Sequence, residues 1–167
     1  SGEVVVELPD DRVLFMAEPV DVKGVVNQGN EVRRALAEPI DSVPLRDIAR
    51  KGKKVAIAVD DMTRLTPCRM ILPVVIDELA KAGIGARDID VIIALGTHRK
   101  MSDEEILERY GEEDVSRIEV VNHDASNHDE LIDLGKTPSG TPIIVNRPFY
   151  EADVKVAIGN VIPHMYA

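Results

Sequence analysis

VAIAVDDMTRLTPCRMILPVVIDELAKAG (55–83) is the stretch that decides the fold. Its first five residues, VAIAV (55–59), form a continuous apolar run without polar alternation, the composition of a strand buried on both faces. A polar cluster follows, Asp60-Asp61-Met62-Thr63-Arg64. Thr66-Pro67 then opens a helix whose Ile71, Leu72, Val75, Ile76 and Leu79 recur at helical spacing. Gly83 stands just past its end, where a left-handed residue stops a helix. Strand, polar turn and amphipathic helix make the first half of a βαβ unit.

The pattern recurs downstream. Apolar runs fall at VIIAL (91–95), IEVV (118–121) and VKVAI (154–158), and a further run, PIIV (142–145), precedes the last. Between the first two of these, Ser102 with Glu105 makes a capping box, and it opens a helix in which Ile106, Leu107 and Tyr110 are expected to face inward before Gly111. Buried-type runs alternating with helices predict an α/β fold, a mainly parallel sheet flanked by helices in a Rossmann-like three-layer arrangement. Residues 122–142 are polar and turn-rich and are expected to be loop with at most a short edge strand. Upstream, helices are expected over 30–37 and 44–51, the second opened by Pro44 and stopped by Gly52. EVVVEL (3–8) and RVLFMA (12–17), separated by Pro9-Asp10-Asp11, predict an N-terminal β-hairpin at the edge of the sheet.

Composition limits the function. A chain of 167 residues can bury roughly 70% of the surface its unfolded form exposes, enough for one core. Aromatics are 3% and Trp is absent, so that core must be aliphatic. Acidic residues outnumber basic ones 30 to 20, for a net charge of −10, which argues against a nucleic-acid or anionic-membrane partner because such binding runs on neutralising phosphates. Cys68 is the only cysteine, so no intrachain disulfide forms, and a cytoplasmic location is expected. No apolar run approaches the ~20 residues that span a bilayer.

In an open α/β sheet, ligands bind beyond the carboxyl ends of the strands. The residues just after the apolar runs are Asp60-Asp61-Met62-Thr63-Arg64, Gly96-Thr97-His98-Arg99, Asn122-His123-Asp124 and Gly159-Asn160-Val161-Ile162-Pro163-His164. Parallel strands would set them on one rim. Each also has a structural explanation. Asp60 and Asp61 could end a strand and cap a helix, Arg64 could be a solvated side chain, and His98 and His164 could be loop histidines with structural hydrogen bonds. His123 and His128, five apart in a polar loop, lack helical spacing and a further ligand, and are expected to be solvated rather than a metal pair.

Commoner motifs fail. Gly83-Ile84-Gly85 follows a helix instead of a strand, and Asp88 stands where a dinucleotide fingerprint needs its third glycine. Gly135-Lys136-Thr137 lacks the earlier glycine of a phosphate-binding loop, Glu130 being in its place. There is no Gly-x-Ser-x-Gly elbow and no Cys-x-x-Cys pair.

Taken together, DDMTRLTP (60–67), GTHRKMSDEEI (96–106), NHDASNHDEL (122–131) and GNVIPHMYA (159–167) resemble, in order and spacing, the amino-terminal region of nickel-dependent lactate racemases and their 2-hydroxy-acid racemase relatives. The similarity runs from about Val55 onward. Leu65 replaces a proline more usual in the family. The resemblance implies a racemase that uses a nickel-pincer nucleotide as hydride acceptor, with Arg64 as substrate-carboxylate binder, Asp61 beside it in the substrate site, and His98 and His164 as the two catalytic acid/bases. It also implies a cofactor-tethering lysine and a nickel-ligating histidine that would follow Ala167, so no metal ligand is expected within the chain.

The expectation is therefore that residues 1–167 are the N-terminal catalytic domain of a lactate racemase-like protein, truncated before the tether and a C-terminal domain. The parent would act on a small 2-hydroxy acid and depend on cofactor-synthesis proteins. The chain alone would be inactive and hold no cofactor tightly. The competing expectation is a small-anion-binding or regulatory domain without catalysis.

Overall fold

The computed structural model describes residues 4–18 and 20–162. Its centre is β1 (Val55–Val59), paired in parallel with β2 (Ile89–Ile93) on one side and β6 (Val154–Ile158) on the other, while β3 (Glu119–Asn122) extends the sheet beyond β2. The order is β3-β2-β1-β6. The register is flush: Val59 stands opposite both Ile93 and Ile158, so the three strands release their chains at one level. The β1–β6 boundary is also where strand order reverses, the place at which crevices open in such sheets.

The side chains of β1 alternate between two cores. Val55, Ile57 and Val59 pack with Val91, Ile93, Leu72, Val75, Leu79, Ile106 and Tyr110, which places α3 (Cys68–Lys81) and α4 (Asp103–Tyr110) over one face. Ala56 and Ile92 face the other way, against Ala152 and the partly buried Phe149 of the short α6 (Arg147–Glu151). Helices on both faces give the three-layer α/β arrangement that the alternating runs predict. α1 (Gln28–Ala37) and α2 (Leu45–Ile48) pack on α3, and α5 (Glu112–Val115) continues from α4. The Ser102–Glu105 capping box is formed, and Gly83 and Gly111 take left-handed φ at the helix ends.

Several expectations are corrected. The N-terminal hairpin is absent: residues 4–18 form no strand, and only a 3-10 turn at Asp10–Arg12 interrupts an extended arm. Val5, Leu14 and Phe15 are at least 80% exposed. A lone two-stranded hairpin is marginal in water, and no sheet surface backs this one. The strand expected at 91–95 begins two residues earlier, because Asp90 sits on a half-buried position and Ala94-Leu95-Gly96 already turns, the Leu95 amide donating to the Ile93 carbonyl. Residues 44–51 hold only the single turn of α2. Leu107 lies off the Ile106–Tyr110 stripe and is 38% exposed. The polar stretch 122–142 contains a six-residue strand, β4 (Leu131–Lys136), which pairs antiparallel with β5 (Pro142–Asn146) in a separate two-stranded ribbon, so PIIV does not join the main sheet. No helix among the described residues is long and apolar enough to cross a membrane.

Candidate active site

The chain leaving β1 is fixed by a buried polar network. The Asp60 carboxylate accepts from the Thr66 hydroxyl, from Arg109 Nη2 at 2.6 Å and from the Cys68 thiol at 3.3 Å. Its carbonyl accepts from the Tyr110 hydroxyl at 2.8 Å and from Arg109 Nε at 3.2 Å. Thus the start of α3 and the end of α4 converge on one residue. Burial, reinforced by the Asp60 charge, pushes the Cys68 thiol up to about 12, which leaves it protonated and inert at neutral pH.

The next residue has a separate set of partners. Asp61 is buried, and one carboxylate oxygen accepts from the Thr63 amide at 2.9 Å and hydroxyl at 2.6 Å, while the other meets His98 Nδ1 at 2.5 Å. Burial opposes the charged form, but the Thr63 hydroxyl, His98 and the Thr63 amide outweigh it and hold the carboxyl below its usual value. An ionised carboxylate only accepts, so Nδ1 carries the proton and Nε2 is the ring's basic nitrogen. The half-exposed His98 therefore has a fixed tautomer and an open side.

His98 and Arg64 line one pocket of about 290 Å³ with Asp60, Asp61 and the turn from Ala94 to Thr97. A second pocket of about 240 Å³ joins Asp60 and Arg64 to Gly159, Asn160 and Ile162 past β6. On its far side His98 shares a third, of about 340 Å³, with Lys100, His123, Asp124 and Ser126. Another, of about 370 Å³, lies between Met62, Cys68, Arg69 and Arg109, and touches neither histidine. The rim has the chemistry and is the better candidate.

The structure thus brings Asp61, Arg64 and His98 together at the carboxyl ends of β1 and β2, with the exit of β6 beside them. His164 lies outside the described residues. His123 is half-buried, its Nδ1 3.2 Å from the Asn146 amide nitrogen, and His128 is exposed. Among the described residues no group of three or more His, Cys, Asp or Glu side chains is placed to hold a metal. The sequence reading missed the Asp60–Arg109–Tyr110 network; the only cue was an Arg-Tyr pair at the end of a capped helix, which does not name its partner.

Fold and rim define a class: an α/β protein whose strand ends carry a carboxylate-held imidazole on a pocket that an arginine also lines. Within that class the family is shown. Residues 1–167 match the lactate racemase N-terminal domain model, and the chain belongs to that family. It is 34% identical over 169 residues to the lactate racemase of Thermoanaerobacterium thermosaccharolyticum, a match covering 100% of this chain and 39% of that protein. It is 31% identical over 142 residues to the lactate racemase of Lactiplantibacillus plantarum, covering 85% of this chain and 33% of the relative. The lactate racemase apoprotein structure from T. thermosaccharolyticum superposes with a TM-score of 0.72 at 32% identity, over 91% of this chain and 35% of that one. The chain therefore spans well under half the length of these relatives.

Proposed function

We propose that this chain is the N-terminal catalytic domain of a 2-hydroxy-acid racemase or epimerase and supplies its carboxylate-binding and proton-transfer groups. The observation that carries this is the Asp61–His98 pair opening on the pocket that Arg64 lines. Arg64 would grip the substrate carboxylate with its two-pronged guanidinium. His98 Nε2 would take the hydroxyl proton as the bond from C2 to hydrogen breaks, leaving a planar keto acid. Asp61, expected from the resemblance beside the substrate, has both oxygens occupied; in this reading it acts through His98, holding its tautomer and stabilising the imidazolium. His164 is assigned the opposite face on the resemblance alone.

Breaking the C2–H bond needs a hydride acceptor, for which the resemblance implies the nickel-pincer nucleotide. The described residues supply no metal ligand set for that group. Its tether and nickel ligand, and the cofactor-synthesis proteins that would load it, belong to the proposal for the whole protein.

The test is racemisation by the full-length protein at matched nickel content. His98→Ala and His164→Ala should each cut the rate roughly 10²–10⁴-fold, and the double variant should be little worse than either, since a two-way cycle needs both faces. Arg64→Lys should raise KM as well as lower kcat. Wild-type rates in both histidine variants would leave the non-catalytic anion-binding role in its place.

A further inference from the structure

Asp60 lies between two arginines. Behind it, Arg109 of α4 contacts both its carboxylate and its carbonyl. In front of it, Asp60 and Arg64 together line both pockets that Arg64 reaches. The Arg109–Asp60 pair is well sequestered, its side chains 14% and 16% exposed, whereas among the described residues Arg64 makes no ion pair. A carboxylate on the same wall and four positions earlier would otherwise be the natural partner of Arg64, and it would compete with any substrate carboxylate for that guanidinium.

We infer that Arg109 is a positioning residue for substrate binding: by claiming Asp60 it keeps Arg64 available to an incoming carboxylate and cancels the charge that would repel it. This rests on the reading of Arg64 as the carboxylate binder. The charge count supports it. Asp60 and Asp61 bring two negative charges to the rim, and Arg64 alone cannot balance them; Arg109 makes the set neutral before substrate arrives. The remaining groups on Asp60 are the Thr66 hydroxyl and Cys68 thiol from the start of α3 and the Tyr110 hydroxyl beside Arg109. None of these three carries positive charge, so none can replace Arg109. The Thr66 and Cys68 contacts hold the same carboxylate that Arg109 pairs with.

The experiment separates this from a purely structural role by comparing lactate with lactamide, which has the same shape and no charge. The isotope-labelled full-length protein is titrated with each at fixed ionic strength, following the Arg64 side chain and the amides of Gly96, Thr97 and His98. Arg109→Gln should weaken lactate about tenfold while lactamide stays within about twofold. Adding Asp60→Asn to that variant should return lactate to within about twofold of wild type, since the uncompensated charge is gone. Equal losses of both ligands in Arg109→Gln, or no recovery in the double variant, would overturn the inference. If Arg109→Gln does not fold, Asp60→Asn alone decides: with Arg109 left in surplus, lactate should bind about threefold tighter, and weaker lactate binding would overturn the idea. Full-length wild-type protein in which saturating lactate moves none of these signals would instead remove the carboxylate-site reading on which the inference stands.

Discussion

Val4–Leu8 and Val55–Val59 are nearly interchangeable as sequence, VVVEL against VAIAV, yet one is bare and the other is the centre of the molecule. Val4, Val5, Val6 and Leu8 are 67–82% exposed, and the arm they belong to pairs with nothing among the described residues. Val55, Ile57 and Val59 are at most 1% exposed, with a strand on each edge and helices over both faces. The difference is partnership rather than propensity. β1 is followed by a helix that returns the chain for β2, and only that crossover creates the edges and the cover a strand needs. The arm is followed by a turn and more arm.

The comparison breaks first at Ile57. Ile57→Ala should cost about 2–5 kcal/mol by chemical denaturation, because the side chain is fully enclosed and close-packed neighbours relax only partly into the void. A loss below 1 kcal/mol would mean the sheet core is looser than its burial indicates. Next in size, Tyr110→Phe should cost about 1 kcal/mol by removing the 2.8 Å bond to the Asp60 carbonyl. The same variant should make Cys68 label faster with a thiol reagent, since α4 no longer pins the strand end; an unchanged labelling rate would show that Arg109 alone holds it.

A smaller effect belongs to the surface of the rim. Arg99, followed by the Ser102 amide and opposed by burial, draws the Glu105 carboxyl from its ordinary 4.5 to about 2. A depressed carboxyl stabilises the fold fully above its unfolded value and loses that contribution as pH falls through its folded one, so the capping box should weaken between about pH 4.5 and 2. Following the Glu105 carboxyl carbon by NMR should show a midpoint that moves back toward the ordinary value in Arg99→Ala; no movement would assign the shift to Ser102. The smallest effect is expected in the arm, where Val5→Ser should change stability by no more than about 0.5 kcal/mol. A loss comparable with Ile57→Ala would show that the arm is packed after all.

What the sequence made legible follows the same division. β1, α3, the capping box and the position of Arg64 and His98 at strand ends all rest on signals within a dozen residues, and all are found in the structure. The hairpin failed because turn residues between apolar runs say nothing about a surface to lie on. β4 was hidden by Asp133 and Gly135, which break its apolar pattern where the ribbon carries an irregularity. The contacts that build the site were invisible for another reason: Asp61 meets His98 across 37 positions and Asp60 meets Arg109 across 49, and no local pattern encodes which carboxylate a distant cation will choose.

The placement of β6 beside β1 has a consequence for how the chain is made. Lys54, at the start of β1, is held by the Asp153 carboxylate 99 positions later, and Val55 has no neighbour on that side until Val154 arrives. At a ribosomal pace of ~5–20 residues per second, the most hydrophobic strand of the sheet emerges roughly 5–20 seconds before the segment that seals its second edge. During that interval β1 and β2 can pair and α3 can cover them, but one edge of β1 stays open. Nascent chains should therefore be most prone to misassociate, and most dependent on chaperones, between the release of β2 and that of β6.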